Sequence, residues 1–168
     1  RWFASGASVN ETEVHDALGT FHIRVDQLFR LGDALVGAEI CEDLWAPVNP
    51  GTHAALAGSN IVCNLSASNE LVSKADYRED LVRMTSAKSF CAYVYAGAGV
   101  MESTKDVVFG GHCLIAEAGQ LLAQSKRFEL SPQAVIGDVD LQRLQHDRAQ
   151  NTTFAQMPRR RAYRIVQA

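Results

Sequence analysis

The sequence predicts an α/β fold, in which helices pack outside a mixed β-sheet. Short apolar runs bounded by turn residues predict strands at 33–41, 60–65 and 92–97. Helical spacing over 51–59 and 73–92 places a helix in each interval between these strands. This alternation of strand and helix along the chain is typical of the α/β class.

Three further segments complete the predicted fold. Alternating apolar residues over 21–31 predict a half-buried strand. The segment 112–126 predicts a hairpin with Gly119 in its turn, and this hairpin adds antiparallel strands to the sheet. The apolar start of 134–150 predicts a strand that leads into a helix.

The signals for a helix are strongest over 73–92. Ser73 is the predicted N-cap residue, because its hydroxyl can accept a hydrogen bond from the first turn. Tyr77, Leu81 and Met84 recur at helical spacing with charged residues between them. This spacing predicts an amphipathic helix.

The composition separates a folded unit from a tail. Residues 1–150 contain the predicted elements and are long enough for one domain or part of one. After Asn151 the chain becomes rich in Thr, Pro and Arg, which predicts that 151–168 is a linker.

The overall composition excludes several classes of protein. A net charge of −3 gives no basic surface for nucleic acid, and no apolar run approaches the ~20 residues of a membrane helix. None of the four cysteines lies in a Cys-x-x-Cys pair, so a structural zinc site is not predicted. Unpaired thiols in apolar surroundings predict a protein of the reducing cytoplasm. The cysteines are Cys41, Cys63, Cys91 and Cys113.

Cys41 ends the predicted strand 33–41 and is followed directly by Glu42 and Asp43. A thiol at this place can pack in the core, bind a metal or act as a nucleophile. Ligand sites of α/β folds concentrate where strands end, and the N–H of Glu42 would face an oxyanion formed beside such a nucleophile. The two acids raise a thiol pKa, so a catalytic Cys41 requires a cation or a base from elsewhere. The five histidines are scattered and leave these alternatives open.

Four segments resemble the nitrilase superfamily, the carbon–nitrogen hydrolases. They are GAEICEDLWAP at 37–47, GSNIVCNLSAS at 58–68, ADYREDLVRMTSAKSF at 75–90 and YVYAGAGVMESTKDVVFGGHCLIAEAGQLLAQS at 93–125. More narrowly, they resemble the C-terminal part of the glutamine amidohydrolase domain of glutamine-dependent NAD synthetases. The resemblance implies a nitrilase-like α-β-β-α sandwich whose N-terminal part is missing here.

The catalytic set of this family is a Cys, a Lys and a Glu. Cys41 is similar in context to the nucleophile, which attacks the side-chain amide of glutamine and releases ammonia, and the resemblance gives the backbone N–H of Glu42 an oxyanion contact. The family's Lys and Glu precede the Cys, whereas this chain has no Lys before Lys74. We therefore expect a C-terminal piece of the domain with negligible glutaminase activity alone.

The resemblance also implies a substrate pocket. Trp45 falls where the family places an aromatic wall beside glutamine. Ser66 and Ser68 match the region that binds the amino-acid head group, and Lys74 resembles a basic contact to its carboxylate. No metal ligand is implied.

The resemblance implies glutamine as the substrate and a synthetase domain of the same polypeptide as a partner. That domain would follow the tail and use ATP and deamido-NAD, whereas this chain has no Gly-rich phosphate loop and predicts no cofactor of its own. Exposed apolar edges would favour a homo-oligomer. Two alternatives remain, a stand-alone nitrilase-type amidase and a non-catalytic interaction module of the same fold.

Overall fold

The structure, a computed structural model, describes residues 6, 11–158 and 162–167. The start of the predicted 1–150 unit and the arginines 159–161 of the predicted linker lie outside the described residues. The strands are β1 Thr12–Asp16, β2 Gly19–Ile23, β3 Gln27–Leu31, β4 Ala34–Ile40, β5 Ile61–Ser66, β6 Ala92–Gly97, β7 Cys113–Glu117, β8 Gln120–Gln124 and β9 Arg164–Gln167. The helices are α1 Pro50–Leu56, α2 Lys74–Ser89, α3 Leu141–Gln150 and α4 Thr152–Ala155, with 3₁₀ turns at Cys41–Trp45 and Val100–Glu102.

A mixed sheet forms the centre of the described structure. Its seven strands run in the order β8-β7-β6-β5-β4-β3-β9, and β1 pairs with β2 in a separate hairpin. The strands β4, β5 and β6 are parallel, with α1 and α2 as crossovers, while β7 and β8 add antiparallel strands. The predicted α/β class with a mixed sheet is therefore confirmed.

The predicted strand over 21–31 is divided in two. Between β2 and β3, the Arg24 guanidinium donates to the Asp26 carboxylate at 2.9 Å, and the Arg24 N–H donates to Gln27 Oε1 at 3.2 Å. These local bonds close a turn between β2 and β3. The alternating apolar pattern continues through this turn, although the strand does not. Sequence periodicity alone does not register such a turn.

The predicted strand at the start of 134–150 is absent from the described sheet. This segment instead lies across the hairpin, where a Cβ added at Gly137 would be 3.6 Å from Leu122 Cβ and 3.7 Å from Ile115 Cδ1. The segment therefore approaches the sheet at Gly137 without joining its ladder. The helix that follows is α3, as predicted.

The predicted linker 151–168 contains regular structure. The short helix α4 begins directly after Asn151, whose side chain accepts from the Phe154 N–H at 2.8 Å. Strand β9 pairs in parallel with β3, from Gln27 opposite Arg164 onward. The tail thus adds an edge strand, and its role as a connector to another domain stays a prediction.

One face of the sheet, the covered face, packs against α1 and α2. A Cβ added at Gly37 would lie only 2.8 Å from the Cβ of Ala54 in α1, so glycine permits the helix to approach the strand. On α2, the Arg78 guanidinium lies 5.8 Å from the ring centre of Tyr95. Buried polar and aromatic side chains therefore project toward the helices from this face.

The opposite face, the open face, is apolar and partly exposed. Because strand side chains alternate between faces, Ile40 and Leu65 project away from α1 and α2, and they are 54% and 65% exposed. Cys63, Val94 and Ala96 continue this face and are half-buried. An apolar sheet face of this kind is stable when a second layer covers it.

Of the stripe predicted on α2, Leu81 packs against the core cluster, whereas Tyr77 and Met84 lie outside the buried face. Tyr77 and Met84 are 52% and 64% exposed, while the residues that face the sheet are Ala75, Arg78, Val82, Thr85, Ser86 and Ser89. These side chains are mostly small or polar, and the hydroxyl of Ser86 accepts from the Gly119 N–H at 2.8 Å. Ser73 lies at the predicted N-cap position of α2, but it has φ of 64° and its hydroxyl makes no cap bond.

Candidate active site

The carboxyl ends of three parallel strands meet at one edge of the sheet. Ile40 of β4 lies opposite Leu65 of β5, and Leu65 lies opposite Ala96 of β6. Cys41 follows β4 directly, Ser66 ends β5, and Lys74 begins the helix after β5. The topology therefore brings together residues that are up to 33 positions apart in the chain, Cys41 and Lys74 among them.

Cys41 adopts a strained backbone conformation. Its φ is 51°, in the left-handed region that residues with a side chain rarely occupy. Such a conformation costs about 1–3 kcal/mol and persists where surrounding contacts hold it. The turn between β4 and the 3₁₀ helix Cys41–Trp45 resembles the strand-to-helix elbow that presents a nucleophile to a cleft.

Asn64 supplies contacts that hold this turn. Its Oδ1 accepts from the Cys41 N–H at 2.9 Å, and its Nδ2 donates to the Cys41 carbonyl at 3.2 Å. On the other side of the turn, the Asp43 carboxylate accepts from the Ile40 N–H at 3.0 Å. The backbone around the thiol is thus held from a neighbouring strand and from its own helix.

A buried carboxylate lies two residues before Cys41. Glu39 accepts from Asn49 Nδ2 at 3.0 Å, from the Gly51 N–H at 2.6 Å and from the Tyr93 hydroxyl. The Tyr93 oxygen in turn accepts from Asn64 Nδ2 at 3.0 Å. Hydrogen bonds therefore connect Glu39 to the backbone of Cys41 through two side chains.

Burial dominates the acid–base properties of this network. It raises the pKa of Glu39, and the hydrogen bonds from Tyr93, Gly51 and Asn49 lower that pKa only in part. Burial also raises the pKa of Tyr93, and the Glu39 carboxylate raises it further. Tyr93 therefore stays protonated and donates to Glu39.

Trp45 and Lys74 form one side of the site. Trp45 is partly buried against the core cluster that contains Leu44 and Val62, and the Lys74 ammonium lies 5.8 Å from its ring centre. The ammonium also donates to Asn69 Oδ1 at 2.7 Å. Burial lowers the pKa of Lys74, as does the nearby Arg78, whereas Glu70, Cys41 and Glu42 raise it. These influences place Lys74 within electrostatic range of the thiol.

Ser66 and Ser68 lie around the hydroxyl of Tyr95. The Tyr95 hydroxyl donates to Ser66 Oγ at 2.7 Å. Burial raises the pKa of Tyr95, and hydrogen bonds with Ser66 and Ser68 oppose this effect. Ser66 is buried and Ser68 is half-buried, so Ser68 is the more accessible hydroxyl of the two.

Glu42 is exposed, and its backbone lies in the first turn of the 3₁₀ helix. The first N–H groups of a helix have no carbonyl partner within it. Since Asn64 already accepts from the Cys41 N–H, the N–H of Glu42 is the next backbone donor along the chain.

Arg78 connects the site to the loops that follow β5 and β6. Its Nη1 donates to Glu70 at 2.8 Å and to His112 Nδ1 at 3.1 Å. His112 therefore carries its proton on Nε2, which contacts Gln124 Oε1 at 3.3 Å. Burial lowers the pKa of His112, in agreement with a neutral ring.

Burial affects the chemistry of two other thiols, those of Cys63 and Cys91. All four cysteines are free, and burial raises the pKa of Cys91 to about 12 and also that of Cys63. Such thiols are poor nucleophiles. Across the described part of the chain, no group of three or more His, Cys, Asp or Glu side chains is arranged to hold a metal ion.

Sequence reasoning missed the residues that hold Cys41. The sequence patterns assign no role to Glu39, Asn64 or Tyr93. The available signal was a charged or amide side chain inside a run of apolar strand residues, since such groups are buried only with partners.

Comparison with known proteins assigns the chain to a family. The family model for carbon-nitrogen hydrolase matches residues 4–149. The chain belongs to the carbon–nitrogen hydrolase family. The predicted resemblance to the nitrilase superfamily is thereby confirmed, and the chain is part of an enzyme family.

Curated relatives of this carbon–nitrogen hydrolase chain carry one common name. The glutamine-dependent NAD(+) synthetase of Mycobacterium leprae is 39% identical over 87% of this chain and 22% of its own length. The human protein of the same name is 33% identical over 70% of this chain and 17% of its own length. The chain thus spans about a fifth of these relatives.

Solved structures confirm the nitrilase-type fold. A glutamine-dependent NAD(+) synthetase from Cytophaga hutchinsonii superposes with a TM-score of 0.66 at 29% identity, covering 80% of this chain and 21% of that one. A carbon-nitrogen hydrolase from Helicobacter pylori shares the fold with a TM-score of 0.62 at 19% identity, covering 79% and 50%. No helix among the described residues has both the length and the apolar character needed to cross a membrane.

Proposed function

We propose that this chain carries the nucleophile of a glutaminase site, with Cys41 as the attacking group. The observation that carries the proposal is the strained elbow at Cys41, held at the carboxyl edge of the parallel strands by Asn64. Strain at such a turn points to function because a structural thiol does not require it. The common name of the curated relatives supports glutamine as the amide substrate.

The reaction proceeds through a thioester. The Cys41 thiolate attacks the side-chain carbonyl carbon of glutamine, and the N–H of Glu42 stabilises the oxyanion. The C–N bond then breaks, and the amide nitrogen takes up a proton and leaves as ammonia. Water attacks the resulting thioester, which releases glutamate and restores the thiol.

The surrounding residues would bind the rest of glutamine. Trp45 forms an aromatic wall, and Lys74, held beside it, contacts the substrate carboxylate. The hydroxyls of Ser66 and Ser68 contact the amino-acid head group. Lys74 suits this role because its ammonium is only partly desolvated and its side chain is already directed to the site by Asn69.

In our proposal, the Lys and the Glu of the catalytic set are supplied by residues that do not belong to this chain. The family's Lys would stabilise the thiolate, and its Glu would transfer protons. We therefore expect the chain to have negligible activity alone and to act within a longer cytoplasmic polypeptide. A synthetase domain there would use the ammonia, ATP and deamido-NAD, and the assembly would be a homo-oligomer.

The proposal is tested by ammonia release from L-glutamine, using the full-length polypeptide encoded by the gene. Cys41→Ala should lower kcat by at least about 1,000-fold, because the covalent route is lost. Cys63→Ala is the matched control, since this thiol lies on the open face, and it should retain activity.

Other outcomes would reject parts of the proposal. Full activity of Cys41→Ala would exclude Cys41 as the nucleophile. Hydrolysis of simple amides such as acetamide without hydrolysis of glutamine would favour a stand-alone amidase. Activity of the 168-residue chain alone would contradict the expected split of the catalytic set.

A further inference from the structure

Asn64 makes bonds to Cys41 that fix both polar groups of its peptide backbone. The Cys41 N–H donates to Oδ1 at 2.9 Å, and Nδ2 donates to the Cys41 carbonyl at 3.2 Å. Asn64 is fully buried, which limits the competition of water for these bonds. The residue held in this way is the one at φ of 51°.

Tyr93 and Glu39 fix the orientation of the Asn64 side-chain amide. The Tyr93 hydroxyl donates its hydrogen bond to Glu39, so the phenol oxygen is free to accept from Asn64 Nδ2 at 3.0 Å. A flipped amide would point its oxygen at that acceptor and its NH₂ group at the Cys41 N–H. Both contacts would then be repulsive, so the network admits one orientation.

We propose that Asn64 is the positioning residue of the nucleophile and that the buried Glu39–Tyr93 pair fixes its orientation. This inference rests on the proposed role of Cys41 as nucleophile. Asn64 does not touch the substrate. It acts by holding the elbow so that the thiol and the Glu42 N–H face the same carbonyl group.

The two hydrogen bonds between Asn64 and the Cys41 backbone, here called the clamp, also decide which backbone group binds the oxyanion. Since the Cys41 N–H is occupied by Asn64 Oδ1, it is not available to the substrate. The next N–H, that of Glu42, takes this role. Loss of the clamp would change the placement of the oxyanion donor together with that of the thiol, and a displacement of about 1 Å can lower a rate by about 100-fold.

Asn60 provides a matched control four residues earlier. Its Oδ1 accepts from the Leu35 N–H at 2.8 Å, and its Nδ2 donates to the Asp33 carbonyl at 3.3 Å. Asn60 is 3% exposed, so it is nearly as buried as Asn64. It clamps the start of β4, far along the strand from the thiol, and the residues it holds have ordinary negative φ.

The experiment compares Asn64→Ala with Asn60→Ala in the full-length polypeptide, with kcat and KM for L-glutamine normalised to folded protein. We expect Asn64→Ala to lower kcat by about 100-fold with little change in KM, because the binding residues stay in place. Asn60→Ala should lower the thermal midpoint to a similar extent and keep kcat. Amide hydrogen exchange at Cys41 should become faster only in Asn64→Ala.

Two more variants cover the case in which Asn64→Ala fails to fold. Asn64→Asp keeps the acceptor for the Cys41 N–H and loses both donated bonds, and Tyr93→Phe removes the hydroxyl that orients the amide. Both should lower kcat, by less than Asn64→Ala. An unchanged kcat in these variants, or an equal fall in Asn60→Ala, would overturn the inference.

Cys41→Ala separates this inference from the function on which it rests. Loss of activity in Cys41→Ala with normal kcat in the Asn64 variants would reject the positioning role alone. Full activity in Cys41→Ala would reject both.

Discussion

The two faces of the seven-stranded sheet differ in what holds their side chains. Glu39 and Ile40 are neighbours on β4, yet Glu39 is 2% exposed beneath α1 and Ile40 is 54% exposed on the open face. The helices supply N–H groups and amides to the covered face, so buried polar groups there have partners. The side chains of the open face are apolar, so hydrogen-bond partners would not stabilise them. A catalytic arrangement can therefore be built on the first face, while the second is suited to packing.

The largest expected difference between the faces comes from alanine substitutions on β4. Glu39→Ala should lower the free energy of unfolding by about 3 kcal/mol or more, because three buried donors lose their acceptor at about 1–3 kcal/mol each. Ile40→Ala should cost about 1 kcal/mol or less, because full burial of such a side chain contributes only about 1.5–3 kcal/mol. Urea unfolding followed by tryptophan fluorescence measures both. Equal losses would contradict the distinction between the faces.

A charge on the open face should act in opposite directions in two contexts. In the isolated chain, Leu65→Lys should reduce self-association and the binding of a hydrophobic dye, since this side chain is 65% exposed. In the full-length polypeptide, where we expect a second layer to cover the face, the same change should destabilise the fold by about 2 kcal/mol.

Val72→Lys is the control for that experiment. Val72 is 99% exposed in the loop before α2, so a lysine there should have little effect in either context. Size-exclusion chromatography and thermal unfolding provide the two readouts. If Leu65→Lys behaved like Val72→Lys in the full-length protein, no layer would cover the open face.

The smallest expected effect is a dependence of stability on pH that arises on the covered face. Burial raises the pKa of Glu39, so the native state keeps this proton where the unfolded chain has lost it. The contribution of Glu39 to the free energy of unfolding therefore falls as pH rises from about 4.5 through the native pKa. Glu39→Gln should lack this decline in urea titrations across that range. A decline of the same slope in the variant would assign it to other groups.

The sequence predicted much of the fold because local signals and tertiary packing agree there. Strands β4, β5 and β6 are short apolar runs bounded by turn residues, and Gly119 lies in the hairpin turn at φ of 89°. The α2 stripe was correct only for Leu81, because periodicity shows where apolar residues recur and does not show which side of a helix is buried. The buried side of α2 instead carries Arg78 and small residues that satisfy polar groups on neighbouring loops.

The candidate site was predicted unevenly for a similar reason. The family resemblance singled out the thiol, Trp45 and the serines, and the structure places them at one edge of the sheet. The roles of these residues stay predictions. Asn64 and Tyr93 could not be connected to Cys41 from the sequence, because their hydrogen bonds join residues that are 23 and 29 positions apart along the chain.

The sequence by itself determined the alternation of β4, β5 and β6 with α1 and α2, and it determined the family. These properties follow from residue types and from their local spacing, both of which the sequence contains directly. Only the tertiary structure decided that Cys41 is held at a positive φ, that Asn64 holds it and that Glu39 lies beneath α1. Those facts depend on strand register and helix placement, which bring distant polar groups to within hydrogen-bond distance.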